Sequence, residues 1–163
     1  MIAVTARRRS VEGETVSRGR ELEAKRSVNA HYDAALAAAH SVHGDLGLPK
    51  LNIRPLHMNA KDLGGYLYKN ATSIGIELDP DQKHPEFTAL HEHGHHIDHQ
   101  ALGTEGYAFA SKQGRVIQLM KAIHNTPEVK LLLKQAKRPW PTNYRRALNY
   151  LAGPEERFAR ACA

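Results

Sequence analysis

The chain has 163 residues, a length that builds one hydrophobic core and seldom two. It is 41% hydrophobic and 25% charged, with a mean hydropathy of −0.54 and no apolar run near the roughly 18 residues a spanning helix needs, which excludes a helical membrane span. A single cysteine, Cys162, excludes an internal disulfide framework and any zinc site needing two thiolates, so histidine must carry any metal.

Residues 1–18 show no apolar period and are expected to form a flexible basic arm ahead of one domain over residues 19–163. The net charge of +6 is concentrated early, in Arg7, Arg8, Arg9, Arg18, Arg20, Lys25 and Arg26. That pattern fits weak contact with nucleic-acid phosphates or an acidic surface. Glu12, Glu14, Glu21 and Glu23 are interleaved with it, and residues 1–30 contain no aromatic that could stack on a base. A solvated terminus is the plainer reading. The opening MIAVTARRRS lacks the apolar stretch of a secretory signal, so the chain is expected to remain where it is made.

From Arg20 to His43, Leu22, Val28, Tyr32, Leu36, Ala39 and Val42 recur at helical spacing among good helix formers. Gly44, Gly47 and Pro49 end that helix, and Leu51, Ile53 and Leu56 then alternate as in a half-buried strand. Gly65 to Tyr68 and Ser73 to Leu78 flank Lys69-Asn70-Ala71-Thr72, the length and chemistry of a hairpin loop. Gly64-Gly65 reads as the turn opening the first of these strands. His84-Pro85-Glu86 opens a helix to about Leu102, with proline in its tolerated first turn. Residues 108–124, 129–133, 144–151 and a segment from Pro154 complete a helical remainder, broken at Lys137 to Pro141. Helix, small antiparallel sheet, then helices is an α+β order.

The chemistry is concentrated in His91-Glu92-His93-Gly94-His95-His96-Ile97-Asp98-His99, which contains HExxH. On a helix, positions i and i+4 lie one turn and about 40° apart, so His91 and His95 project side by side and can share an ion. Glu92 is about 100° round from His91, placed to take a proton from water activated by the metal rather than to ligate it. A histidine-rich surface helix is the bland alternative. His93 and His96 point about 200° and 140° away from His91 and read as solvent-facing or supporting residues. Asp98 returns to the ligand face, where it would accept the other ring N–H of a ligand histidine and fix its tautomer. The extended astacin pattern would require glycine at 98 and histidine at 101, where this chain has Asp98 and Ala101.

A catalytic zinc normally takes three protein ligands. Gly153-Pro154-Glu155-Glu156-Arg157-Phe158-Ala159-Arg160 offers two acids in a first helical turn, where the helix dipole alone would favour them. Ala159, three residues beyond Glu156, permits close helix approach, whereas Glu155 shares a face with Phe158 and Cys162; spacing alone only narrowly favours Glu156. Tyr144 and Tyr150, near Glu156 in sequence, are candidates to stabilise a transition state, although a helix tyrosine more often serves packing. His57 and His124 read as surface residues, Trp140 as a loop anchor, and Cys162 as unreactive.

The combination of HExGHxxD with a P-E-E-x-F-A-R segment some 60 residues later resembles the zincin-type metallopeptidases of phages and other mobile elements, often associated with head-morphogenesis proteins. These group with the glutamate-ligand zincins, as do the ImmA/IrrE-like proteases. Covering about residues 50–163, the resemblance implies a zincin-like α+β fold with one Zn²⁺ on His91, His95 and Glu156 and with Glu92 as general base. It further implies a peptide or protein substrate held along a sheet edge at Ser73 to Leu78, possible contact with phage head proteins, and a place in the bacterial cytoplasm or the virion. The chain ends seven residues after Glu156, sooner than the similar proteins, so a shortened or partnered form is expected. A non-catalytic, zinc-stabilised phage structural or nucleic-acid-associated module is the alternative, and iron(II) uses the same ligand types.

Overall fold

The computed structural model describes residues 3–49, 51–56, 64–68, 74–102, 109–114 and 116–163. It is an α+β arrangement: among the described residues, six α-helices accompany a three-stranded sheet. None of those helices is long and apolar enough to cross a membrane.

Helix α1 runs from Ala3 to His43, so it starts well before the apolar periodicity does. The segment expected as a flexible arm is helical in backbone from residue 3. Alanine, arginine and glutamate are strong helix formers, and extending an existing helix needs no apolar stripe once the costly nucleus has formed. Among its described side chains, the stripe beginning at Val28 is the part that packs. Val28, Tyr32 and Ala35 enter a core with Leu51, Ile53, Ile76, Leu78 and Ala89.

Strands β1 (Asn52–Pro55), β2 (Gly64–Tyr68) and β3 (Ile74–Leu78) form a sheet in the order β1-β3-β2. The expected hairpin pairing is present, with β2 and β3 antiparallel and Tyr66 opposite Ile76; its loop, and Ser73 with it, lies outside the described residues. The sheet is nevertheless mixed, because β1 runs parallel to β3, with Ile53 opposite Ile76. Alternation in a four-residue strand marks which side is buried but carries no information on strand direction. A further expectation changes with it: β3 is the central strand, so the described part of the expected edge, Ile74 to Leu78, is paired on both sides. Among the described residues, the edges of the sheet belong to β1 and β2.

Gly64 and Gly65 lie inside β2 rather than in a turn before it. A Cβ on Gly64 would come within 2.6 Å of Thr88 Cγ2, so the absent side chain lets the sheet sit close on the following helix. That helix, α2 (Pro85–His96), has Pro85 in its first turn and packs against α1, β2 and β3. It gives way to a single π-helical turn, Ile97–Ala101, with Leu102 N–H bonded to Ile97 C=O at 3.1 Å. Regular helical projection therefore fails just past His96.

The expected helix over residues 108–124 is divided. A 3₁₀ turn at Ala110–Lys112 and Gly114, whose φ of 71° is left-handed, precede α3 (Ile117–His124). Helix α4 (Pro127–Ala136) starts at Thr126, whose hydroxyl accepts the Val129 N–H, and α5 (Thr142–Leu151) follows the expected break. Trp140 anchors that break by donating to Gln135 C=O at 2.9 Å and packing on Tyr144. Helix α6 (Pro154–Cys162) then lies against α2, and Phe158 joins Ile97 and Ile123 in a second apolar cluster.

Candidate metal centre

One close contact sets the site. A Cβ on Gly94 would lie 2.7 Å from Ala159 Cα and 2.8 Å from its carbonyl oxygen, so α2 and α6 meet almost backbone to backbone. Within one turn of that contact, α2 carries His91 and His95 and α6 carries Glu156. Both histidine Nε2 atoms face the Glu156 carboxylate, His91 at 3.2 Å from Oε2 and His95 at 3.3 Å from Oε1. One donor atom from each of the three lies within 4.8 Å of the others, a cluster that could hold a metal ion. The small residue at 159 has the role its spacing suggested, and the choice between the two glutamates falls to Glu156. Glu155 instead pairs with Lys112.

Burial opposes ionisation of Glu156, but hydrogen bonds from His91, His95 and Tyr150 outweigh it and hold the carboxyl well below the usual carboxylate range. An ionised carboxylate between two imidazole nitrogens is the protonation state a divalent cation requires. Glu92 differs. It is buried beside the cluster, and burial pushes its carboxyl upward against the opposing influence of His91, His95 and the Tyr66 backbone N–H that bonds it. Two buried carboxyls on neighbouring helices are thus driven apart in proton affinity.

These residues line an open cleft of about 1040 Å³, bounded by Gly64, Gly65 and Tyr66 of edge strand β2, by Phe87, and by Tyr150 and Arg160. Of the two tyrosines considered, Tyr150 stands at the cleft and bonds Glu156, whereas Tyr144 is half exposed against Trp140, away from the cleft lining.

Asp98 is fully buried, but the bonds it makes are with Ser111: the backbone N–H reaches one oxygen at 2.8 Å and the hydroxyl reaches the other at 2.5 Å. His95 Nδ1 is buried without a hydrogen-bond partner among the described residues, so the expected Asp98 link to a ligand ring is not formed. The π-helical turn beginning at Ile97 explains the difference, because the α-helical projection used to aim Asp98 at His95 does not hold there. Burial raises the Asp98 carboxyl although the Ser111 bonds oppose this.

His93 and His96 point off the ligand face, as their angles require, yet neither faces solvent. His93 Nδ1 bonds the Tyr32 hydroxyl of α1 at 3.0 Å, and His96 Nε2 bonds Pro49 C=O at 3.2 Å. Burial, with other histidines nearby, brings both down to about 4, so they are neutral pillars at neutral pH. Tyr66 was not apparent from the sequence. Its ring stacks near His95 at 6.3 Å and its hydroxyl hydrogen-bonds with His99 at 2.9 Å. Nothing in a five-residue strand distinguishes such a tyrosine from an ordinary β-former, and Ser111 likewise carries no local signal. His57 lies outside the described residues; His124 is exposed and bonded to Arg157 at 3.0 Å. Burial pushes the Cys162 thiol up to about 11, in keeping with an unreactive residue.

Compared with protein-family models, with curated proteins and with solved structures, the chain matches none.

Proposed function

We propose that this chain is a zinc-dependent peptidase of the zincin type, in which His91, His95 and Glu156 hold the ion and Glu92 is the general base. The observation that carries the reading is the division of labour between two buried carboxyls: Glu156 faces both histidine Nε2 atoms, while Glu92 stands beside them on the cleft. Two imidazoles and a carboxylate form a donor set suited to zinc, with room for a fourth position. When bound, zinc supplies Lewis acidity, polarising a carbonyl oxygen and lowering the pKa of water. Glu92, with its proton affinity raised by burial, takes a proton from the attacking water and delivers it to the departing amine. Tyr150 lies near enough to steady developing charge through the same hydroxyl that bonds Glu156. An extended peptide would lie along β2, an edge strand among the described residues, whose Gly64, Gly65 and Tyr66 border the cleft.

The resemblance of the two motifs to zincins of phages and mobile elements supports a protein substrate in that setting, with head proteins among the partners. Because Glu156 also ties α6 to α2, a zinc-clamped structural module is the competing reading. Elemental analysis of protein purified without added metal, run with a fluorogenic peptide pool, decides between them. About one zinc per chain, with turnover that Glu92→Gln reduces at least a hundredfold while zinc remains, is expected. Zinc without turnover in the parent protein would favour the structural module, and absence of metal even after reconstitution would overturn both.

A further inference from the structure

We propose that Arg160 recognises a carboxylate of the substrate, so that the cleft selects acidic peptides; this rests on the peptidase reading and adds a substrate class to it. Arg160 is the only arginine or lysine among the described residues lining the cleft. It lies four residues after Glu156 on α6, and such positions share a helix face about 6 Å apart. Its backbone is fixed by its neighbour Ala159, which is completely buried against Gly94. The side chain is exposed, and no ion pair engages it among the described residues.

The acids nearby are already committed. Glu155 pairs with Lys112, Glu156 faces His91 and His95, and Glu92 accepts the Tyr66 N–H. A guanidinium fork left open beside a cleft matches a carboxylate through two parallel hydrogen bonds, which a point-charge ammonium does less well. An extended peptide advances about 3.3 Å per residue, so an arginine one helical turn from the ligand carboxylate suits an acid within about three residues of the attacked bond. That carboxylate can belong to an Asp or Glu side chain or to a free chain terminus.

The test uses the full-length, zinc-loaded Glu92→Gln protein, which would bind peptides without consuming them. Calorimetric titration compares four peptides of equal length: a capped neutral one, a capped one with Glu near its centre, a capped one with Lys there, and a neutral one with a free carboxyl terminus. The Glu peptide, the free-acid peptide or both are expected to bind at least tenfold more tightly than the capped neutral one. Which of them gains identifies the source of the carboxylate. Arg160→Gln, with zinc content and circular dichroism unchanged, should abolish that preference and leave neutral-peptide binding as it was; Arg160→Lys should restore part of it. Equal binding of all four peptides, or a preference that survives Arg160→Gln, overturns the role of Arg160 and leaves the peptidase reading standing. Failure of every peptide to bind, combined with no turnover by the parent protein, overturns both.

Discussion

Gly94 and Ala159 are in backbone contact: a methyl group added at Gly94 would lie 2.7 Å from the Ala159 Cα. This contact sets the separation of α2 and α6, and with it the distance from Glu156 to the two histidines of HExxH. Gly94→Ala should therefore lower zinc affinity at least tenfold and destabilise the fold by about 1–3 kcal/mol through overpacking, despite the gain in helix propensity. Gly19→Ala is the control, since a Cβ there meets nothing within 4 Å, and it should be neutral or stabilising. Zinc competition with a chromogenic chelator and thermal melts of both variants measure the difference.

The two adjacent glutamates of α6 should separate on metal analysis. Glu156→Gln removes the carboxylate that faces both imidazoles and is expected to strip most of the zinc. Glu155→Gln loses only its partly exposed ion pair with Lys112 and should retain a full equivalent. Zinc loss on Glu155→Gln alone would reverse the assignment.

Tyr150→Phe removes a donor to the Glu156 carboxylate while keeping the ring; because Tyr150 is largely exposed, the loss is nearer that of an ordinary hydrogen bond, and a fall in zinc affinity on the order of threefold to tenfold is expected. Tyr144→Phe, with its ring against Trp140 and outside the cleft lining, should leave metal binding and peptide turnover unchanged.

Ser111→Ala leaves one oxygen of the buried Asp98 without its hydroxyl partner. A loss of roughly 1–3 kcal/mol in urea unfolding is expected, the penalty of an under-satisfied buried carboxyl. A neutral result would mean that solvent or a rearranged loop takes the place of the hydroxyl.

The Cys162 thiol, raised from 9.0 to about 11 by burial, should be poorly ionised at pH 8. A thiol raised in this way holds about a hundredfold less thiolate below its ordinary pKa, and only the thiolate reacts. Alkylation of the folded protein at pH 8 should be slower than in denaturant by at least that factor. It should accelerate as pH rises toward 11.

The helix carrying His91 and His95 was legible in the sequence because its signal is local. A four-residue offset fixes His91 and His95 on one face whatever surrounds them, and Pro85 and Pro154 mark helix starts by their missing N–H. The hairpin pairing of β2 and β3 was legible for the same reason, as was the orientation of His93 and His96 away from the ligands. Periodicity also located the packed middle of α1, Val28 to Ala39, but overran it at the exposed Leu22 and Val42 and missed the start of the helix, because a helix can extend on propensity alone.

What only the tertiary structure decided were relationships between segments far apart in the chain. The sequence narrowed the candidate third ligand to Glu155 or Glu156; the packing of α6 on α2 at Gly94 and Ala159 sets Glu156, and not Glu155, against both histidines. The direction of β1 and the central place of β3 depend on how strands pair across the sheet, which a short alternating pattern does not encode. Asp98 turned to Ser111 because a π-helical turn replaced the expected α-helix, and Tyr66 reached Glu92 and His99 through sheet packing. Helical and strand periods are set by the backbone of each segment alone, whereas a ligand set and its supports depend on distances that exist only after the segments have packed.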